Sequence, residues 1–229
     1  MPAKFSCFVT GTDTGVGKTR VSTALLWALA ATGRRVAGMK PVASGCEPSA
    51  GALRSADALA LLEQSIPDLV YEDVNPVALR DAIAPHIAIA RSGTRVDLEG
   101  IGRSFKRLQS RADAVVVEGI GGWRVPFQDG MGTSDLVREL SLPVLLVVGL
   151  RLGCINHALL SSESIHADAI RLIGWIANQV DPVYGETSET VNYLSEQIPA
   201  PLLGCIPHLT ELSPELLAPY IAIDLLVNP

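Results

Sequence analysis

The stretch Gly11-Thr12-Asp13-Thr14-Gly15-Val16-Gly17-Lys18-Thr19 joins a glycine-rich run to a closing Gly-Lys-Thr. Glycines let backbone N–H groups curl around phosphate oxygens without Cβ clashes. A lysine placed after them can reach β- and γ-phosphates, and the Thr19 hydroxyl is a hard oxygen ligand suited to magnesium. This is phosphate-loop (P-loop) chemistry if a strand precedes the loop and a helix follows it. The spacing is unusual: five residues, not four, separate Gly11 from Gly17, and position 12 is threonine.

Three further polar residues can share that chemistry. The run Ala114-Val115-Val116-Val117 ends at Glu118 and leads into Gly119-Ile120-Gly121-Gly122. An acid at the carboxyl end of a parallel strand faces the ligand crevice of such sheets, where it can meet magnesium. Lys40, in Met39-Lys40-Pro41-Val42-Ala43-Ser44-Gly45, ends another apolar run and brings a cation to the same crevice. There it can stabilise charge on a transferring phosphoryl group, or it can be a solvated surface lysine. Asp57, in Ser55-Ala56-Asp57-Ala58-Leu59, falls in the first turn of an expected helix. Spacing alone favours a complement to the helix dipole there over a metal ligand.

The elements that must position these residues follow from periodicity. Expected strands are Phe5 to Thr10, Arg35 to Lys40, Ala114 to Val117, Pro143 to Val148, Leu172 to Ala177 and Leu202 to Ile206. Expected helices are Lys18 to Ala31, Asp57 to Gln64, Asp97 to Arg111, Ser134 to Leu140, Ile155 to Ala167 and Glu186 to Gln197. Ser44 to Gly51 has turn composition, and Ile66 to Arg95 reads as irregular and proline-punctuated. Strand–helix alternation throughout predicts a single α/β domain over residues 1–229. Its sheet should be mostly parallel, with helices on both faces.

Composition narrows the class. Of 229 residues, 48% are hydrophobic and 18% charged, which suits a sizeable core. A net charge of -6 without any basic run argues against nucleic acid. The longest apolar run, Leu142 to Leu150, contains a proline and is far short of the ~20 residues of a membrane span. The N-terminal segment is too short in apolar residues for a signal peptide, so a cytoplasmic location is expected. Cys7, Cys46, Cys154 and Cys205 form no CxxC pair, and neither they nor His86, His157, His166 and His208 have metal-ligand spacing.

The strings GTDTGVGKT, MKPVASG, SADALAL, VVVEGIGGW, LPVLLVVGLRLGCINHALL, GWIANQ and IPAPLLGCIPHL stand in one order from residue 8 to about residue 209. Together they resemble the dethiobiotin synthetase family of the P-loop superfamily. The resemblance implies a homodimer with an about seven-stranded sheet, and an ATP-dependent cyclo-ligase using Mg2+. Its substrates would be ATP, 7,8-diaminononanoate and CO2 or bicarbonate. It implies ATP contacts from Gly15, Val16, Gly17, Lys18, Thr19 and Arg20, from Glu118, Gly119, Ile120 and Gly121, and from Asp57. Adenosine contacts would come from Asn178, Gln179, Pro207, His208 and Leu209, with Glu215 at the ribose. Magnesium would lie among Thr19, Asp57 and Glu118. Lys18, Lys40, Thr14 and Ser44 would serve catalysis, with Lys40, Ser44 and Gly121 also near the diamine. The substrate carboxylate would meet Gly153, Cys154, Ile155 and Asn156 across the dimer interface. Gly15 stands where an acid is frequent and Gln179 where Asp is common. The region Asp181 to Gln197 matches poorly, leaving Tyr193 as a candidate for contact with the partner's substrate.

Two rival readings share the loop. A cobyrinic-acid-type amidotransferase needs a glutaminase domain, for which this chain leaves no room. A positioning-type ATPase switch carries a lysine five residues before the P-loop lysine, where this chain has Asp13, and often ends in a basic amphipathic helix, unlike Asp224-Leu225-Leu226-Val227-Asn228-Pro229.

Overall fold

Six strands form the central sheet of the computed structural model, which describes residues 4–49 and 51–227. They are β1 (Phe5–Gly11), β2 (Val36–Met39), β3 (Ala114–Glu118), β4 (Val144–Leu150), β5 (Leu172–Gln179) and β6 (Leu202–Ile206). Their spatial order is β6-β5-β4-β1-β3-β2, and every neighbouring pair is parallel. The seven strands implied by the resemblance are therefore corrected to six among the described residues. The extra β-structure lies outside this sheet, in a short parallel pair, Val42–Ala43 with Val77–Ala78, and two small hairpins.

Both faces of the sheet are covered, which explains why the strands read as continuous apolar runs. On β1, Cys7 and Val9 join one core cluster with Val116, Val147 and Leu25, whereas Phe8 joins the other with Val115, Val117 and Phe105. The first cluster is closed by α1 (Lys18–Ala31) and the C-terminal segment around Pro214–Leu217. The second is closed by α3 (Pro85–Ser92), α4 (Leu98–Arg111) and α5 (Thr133–Leu140), while α2 (Ala56–Glu63) packs beside β2. A third cluster joins α6 (Cys154–Ala167) and α7 (Thr187–Gln197) to β4 and β5. Among the described residues no helix is long and apolar enough to cross a membrane.

The expected helices and strands all form, with ends shifted by a residue or two. The irregular stretch Ile66 to Arg95 is more ordered than its composition suggested. It holds a turn of helix at Tyr71–Val74, the strand Val77–Ala78 and α3. Pro85 stands at the first turn of α3 and Gly93 ends it in the left-handed conformation, the usual pair of helix boundary signals. The turn-like stretch Ser44 to Gly51 enters a hairpin, Glu47–Ser49 with Ala52–Arg54. Within it Ala50 lies outside the described residues, as do Met1 to Ala3, Asn228 and Pro229.

Candidate functional site

The central position of β1 places its following loop at the crest of the sheet, between the ends of β3 and β4. Gly15 and Gly17 take φ of 76° and 89°, a region that costs other residues strain. Gly17 is also the N-cap of α1, whose first turn carries no acidic side chain, so its free N–H groups suit an anion. A Cβ on Gly17 would lie 2.2 Å from Asn178 Nδ2. Gly17→Ala should therefore distort the loop: ATP binding measured by calorimetry falls at least ~10-fold, as expected for strain of 1–3 kcal/mol, while the circular dichroism spectrum stays that of the wild type.

Lys18 and Lys40 face one cleft of 1040 Å³, together with Thr19, Asp57, Glu118 and Ser44. Glu118 is completely buried and Lys40 is 3% exposed. The Lys40 ammonium donates to Glu118 Oε1 at 2.6 Å, Asp57 Oδ2 at 2.8 Å and the Gly119 carbonyl at 3.0 Å, which uses all three of its protons. The Thr19 hydroxyl lies 2.9 Å from both Asp57 Oδ1 and Glu118 Oε1 and can donate to only one at a time. Lys18 Nζ donates back to the Asp13 carbonyl at 2.9 Å.

Burial lowers the Lys18 ammonium to about 8, and the charge of Lys40 adds to that effect. Burial would lower Lys40 too, but the carboxylates of Glu118 and Asp57 outweigh it and hold the ammonium above its ordinary range. For Asp57, burial works to raise the carboxyl, yet Lys40 and Thr19 leave it below the ordinary value. Lys40 thus contributes stability that is lost only in strong base, and Asp57 stability that is lost only in acid, so their pair stays charged through neutral pH.

The donor set fits magnesium. It offers two carboxylates and a hydroxyl, all hard oxygens, and Glu118 Oε2 is buried with no hydrogen-bond partner. Among the described residues no three or more His, Cys, Asp or Glu side chains cluster as metal ligands.

Other sequence-derived residues divide into groups. Thr14, Gly15, Gly17, Arg20, Ile120 and Gly121 line the same cleft. Val16 is buried beneath the loop, where its carbonyl accepts from Asn178 Nδ2 at 2.8 Å. Asn178 thus braces the phosphate loop through its amide. Gly119 is buried and both its main-chain groups are taken, its N–H by Val9 at 2.9 Å and its carbonyl by Lys40. Asn178 pairs with Ile206 in the sheet, and Gln179 Oε1 accepts from His208 N at 3.4 Å. The ends of β5 and β6 thereby bring Asn178, Gln179, Pro207, His208 and Leu209 to one edge of the crest. Glu215 is exposed on the segment packed against α1, and Tyr193 is exposed on α7.

Gly153, Cys154, Ile155 and Asn156 open α6 but do not line the cleft of their own chain. One main-chain N–H of this segment is already engaged. Cys154 N–H donates to the Arg151 carbonyl at 3.0 Å, closing a turn, so it is not available to an anion. The Cys154 side chain is buried in the third core cluster. Cys154→Ala should keep more than half of wild-type turnover; abolished turnover in a folded variant would give the thiol a role in chemistry.

Sequence patterns did not reveal Arg151, whose guanidinium meets Asp13 Oδ2 at 2.5 Å and ties the phosphate loop to the start of α6. Nor did they reveal Asp168, which accepts from Trp123 Nε1 at 2.8 Å and pairs with Arg124 and Arg138, anchoring the loop that follows Glu118. Both are long-range pairs with no local signature.

A parallel sheet whose central strand feeds a glycine loop, a Lys-Thr helix start and an acid on the adjacent strand defines a P-loop domain. The family described as AAA domain matches residues 6–216. Among solved structures, the MinD cell division protein of Aquifex aeolicus superposes with a TM-score of 0.60 at 18% identity, covering 96% of this chain and 94% of that one. The signal recognition particle receptor FtsY of Elizabethkingia anophelis gives 0.54 at 14% identity, over 99% of this chain and 65% of that one. At such identities these likenesses concern the fold alone. The chain is 50% identical over 215 residues to the ATP-dependent dethiobiotin synthetase BioD of Pseudomonas aeruginosa, covering 93% of this chain and 94% of the relative. It is 50% identical over 202 residues to the protein of that name from Xylella fastidiosa, covering 88% and 89%. The chain belongs to the ATP-dependent dethiobiotin synthetase family.

Proposed function

We propose that the protein is a dethiobiotin synthetase, a ligase of biotin biosynthesis that closes a cyclic urea on 7,8-diaminononanoate with CO2, cleaving ATP to ADP and phosphate. The observation that carries this reading is the cluster of Lys18, Lys40, Thr19, Asp57 and Glu118 in one cleft, within a chain half identical to enzymes of that name.

In the reaction an amine of the substrate adds to CO2 and loses a proton, giving a carbamate. A carbamate oxygen attacks the γ-phosphorus as the bond to ADP breaks, forming a carbamic-phosphoric anhydride. The second amine then attacks the carbonyl carbon and loses a proton to the departing phosphate as the C–O bond breaks. The loop glycines and the start of α1 orient the triphosphate. Lys18 exchanges the Asp13 carbonyl for phosphate oxygens. Lys40 gives up one of its three acceptors to meet the carbamate or transferring oxygen, whose growing charge it stabilises. Thr19, Asp57 and Glu118 hold magnesium, which supplies positive charge beside the phosphates.

The protein acts as a homodimer in the cytoplasm, and the start of α6 in one protomer receives the substrate carboxylate bound at its partner's cleft. Support for the shared site comes from Gly153 to Asn156 standing outside their own cleft, beside Leu152, which is 91% exposed, and the exposed Leu160. The deciding assay combines purified protein, Mg-ATP, bicarbonate and 7,8-diaminononanoate, with dethiobiotin read by mass spectrometry. Product dependent on all four components is expected. ATP binding without any dethiobiotin would overturn the reading; glutamine-dependent turnover or ATP-dependent sedimentation with liposomes would favour the rivals.

A further inference from the structure

Tyr71 and Asn75 lie outside the cleft, yet their side chains end on the backbones of its two flanking elements. The Tyr71 hydroxyl accepts from Ser55 N at 2.7 Å and donates to Asn75 Oδ1 at 3.1 Å. Asn75 Nδ2 donates to the Lys40 carbonyl at 2.7 Å and to the Val77 carbonyl at 3.3 Å. Lys40 N–H in turn donates to the Val74 carbonyl at 2.7 Å. Ser55 is the N-cap of α2, with its hydroxyl accepting from Ala58 N, so its place sets that of Asp57 in the first turn. Both network side chains are buried, and each of their polar groups has a partner.

A buried polar network of this kind contributes register more than net stability, because a well-packed apolar pair can be nearly as stable. Here the register concerns two segments separated in sequence by a loop and hairpin. One carries Lys40, the other Asp57, and their side chains meet at 2.8 Å. We propose that Tyr71 and Asn75 are positioning residues for the Lys40–Asp57 pair, locking the end of β2 to the start of α2. The inference rests on the functional reading of that pair given above. It has a specific signature. Glu118 is fixed by β3 and is fully buried, whereas the Asp57 carboxylate is half-exposed and depends on α2 for its place. Loosening the network should displace Asp57 and leave Glu118 with Lys40.

The test compares Tyr71→Phe, which keeps the ring and the Arg54 guanidinium 4.0 Å above it, with Ile101→Val, a mild change in the same core cluster that removes no hydrogen bond. A crystal structure of Tyr71→Phe should show the Lys40–Asp57 contact opened beyond hydrogen-bonding reach while Lys40–Glu118 persists. Its magnesium requirement for half-maximal turnover should rise about two- to fivefold, with most of kcat recovered at saturating magnesium and metal-free ATP affinity within about twofold of wild type. Asn75→Ala added to it should cause less than the product of the separate losses, because both act through one network. Ile101→Val should change none of these. The proposal is overturned if the Lys40–Asp57 contact survives in the Tyr71→Phe crystal, or if Ile101→Val reproduces the same kinetic losses. The crystallographic outcome is read whether or not the wild type makes dethiobiotin, so it separates this inference from the assigned reaction.

Discussion

Lys40→Met should lower stability and turnover together, by amounts large enough to measure separately. The methionine keeps most of the side-chain volume and removes the ammonium that contacts Glu118, Asp57 and the Gly119 carbonyl. Glu118 is fully buried, so losing its cation leaves a carboxylate in a place that water does not reach. Removing one partner of a buried pair typically costs about 3–5 kcal/mol, a large share of the 5–15 kcal/mol that usually separates native from unfolded chains. Asp57 adds little to that figure, because its half-exposed side chain is screened by solvent. The urea midpoint should therefore fall sharply, and Mg-ADP should raise it more in the variant than in the wild type, since a bound cation restores charge beside Glu118. Under conditions where the variant is folded, turnover should be down by about 10²–10³. Lys40→Arg should rescue neither property, as a planar guanidinium does not match three acceptors converging on one ammonium. Lys18→Ala provides the contrast. Lys18 makes one hydrogen bond, to the Asp13 carbonyl, and burial and the charge of Lys40 already work against its ammonium, so stability should change little while ATP affinity drops. A Lys40→Met protein with the wild-type urea midpoint would contradict the geometry, and one with wild-type turnover would remove Lys40 from the chemistry.

What the sequence disclosed and what it concealed follow from the range of the interactions. The P-loop is local: glycine conformations, a helix start and a lysine lie within nine residues, and Lys18–Ala31 forms the helix that the pattern required. Glu118 and Lys40 were legible because apolar runs end at them, and in a parallel sheet a strand end is an address at the crevice. Their separation of 78 residues could not reveal a 2.6 Å ion pair, nor that Thr19 and Asp57 close the same cluster. Asp57 shows the ambiguity well. It does sit in a first helical turn as a dipole complement would, and it also meets Lys40. Tyr71 and Asn75 were hidden for a different reason. Their segment has no sustained period, and its order comes from side chains bonded to distant main-chain groups, Ser55 N and the Lys40 carbonyl. Periodicity measures burial against a core and is blind to such bonds. The sheet edge was lost similarly: two-residue strands such as Val42–Ala43 are too short to leave an alternation, and they pair apart from the main sheet.

Glu118→Gln and Asp57→Asn should both raise the magnesium concentration needed for half-maximal turnover, and by unequal amounts. Each substitution keeps the side-chain shape and one carbonyl oxygen but removes the negative charge that holds a hard cation. Glu118 acts where solvent screening is absent, at 0% exposure, whereas the Asp57 side chain is 45% exposed. The Coulomb attraction lost at a buried site is several-fold greater than at a wetted one. A shift of more than about tenfold is therefore expected for Glu118→Gln and of about two- to fivefold for Asp57→Asn. The two should also differ at saturating magnesium. Glu118 Oε1 takes the shortest of the three Lys40 bonds, so its loss leaves the ammonium misplaced even when metal is abundant, and kcat should stay depressed. Asp57→Asn should recover most of its kcat as magnesium rises, because Asn Oδ1 can still accept from the Thr19 hydroxyl or from Lys40. Added salt weakens exposed charge pairs more than buried ones, so the Asp57 shift should shrink at high ionic strength while the Glu118 shift persists. An unchanged magnesium titration for Asp57→Asn would return that residue to the role of a helix-start acid. Equal shifts for the two variants would mean that burial does not govern how tightly this site holds its cation.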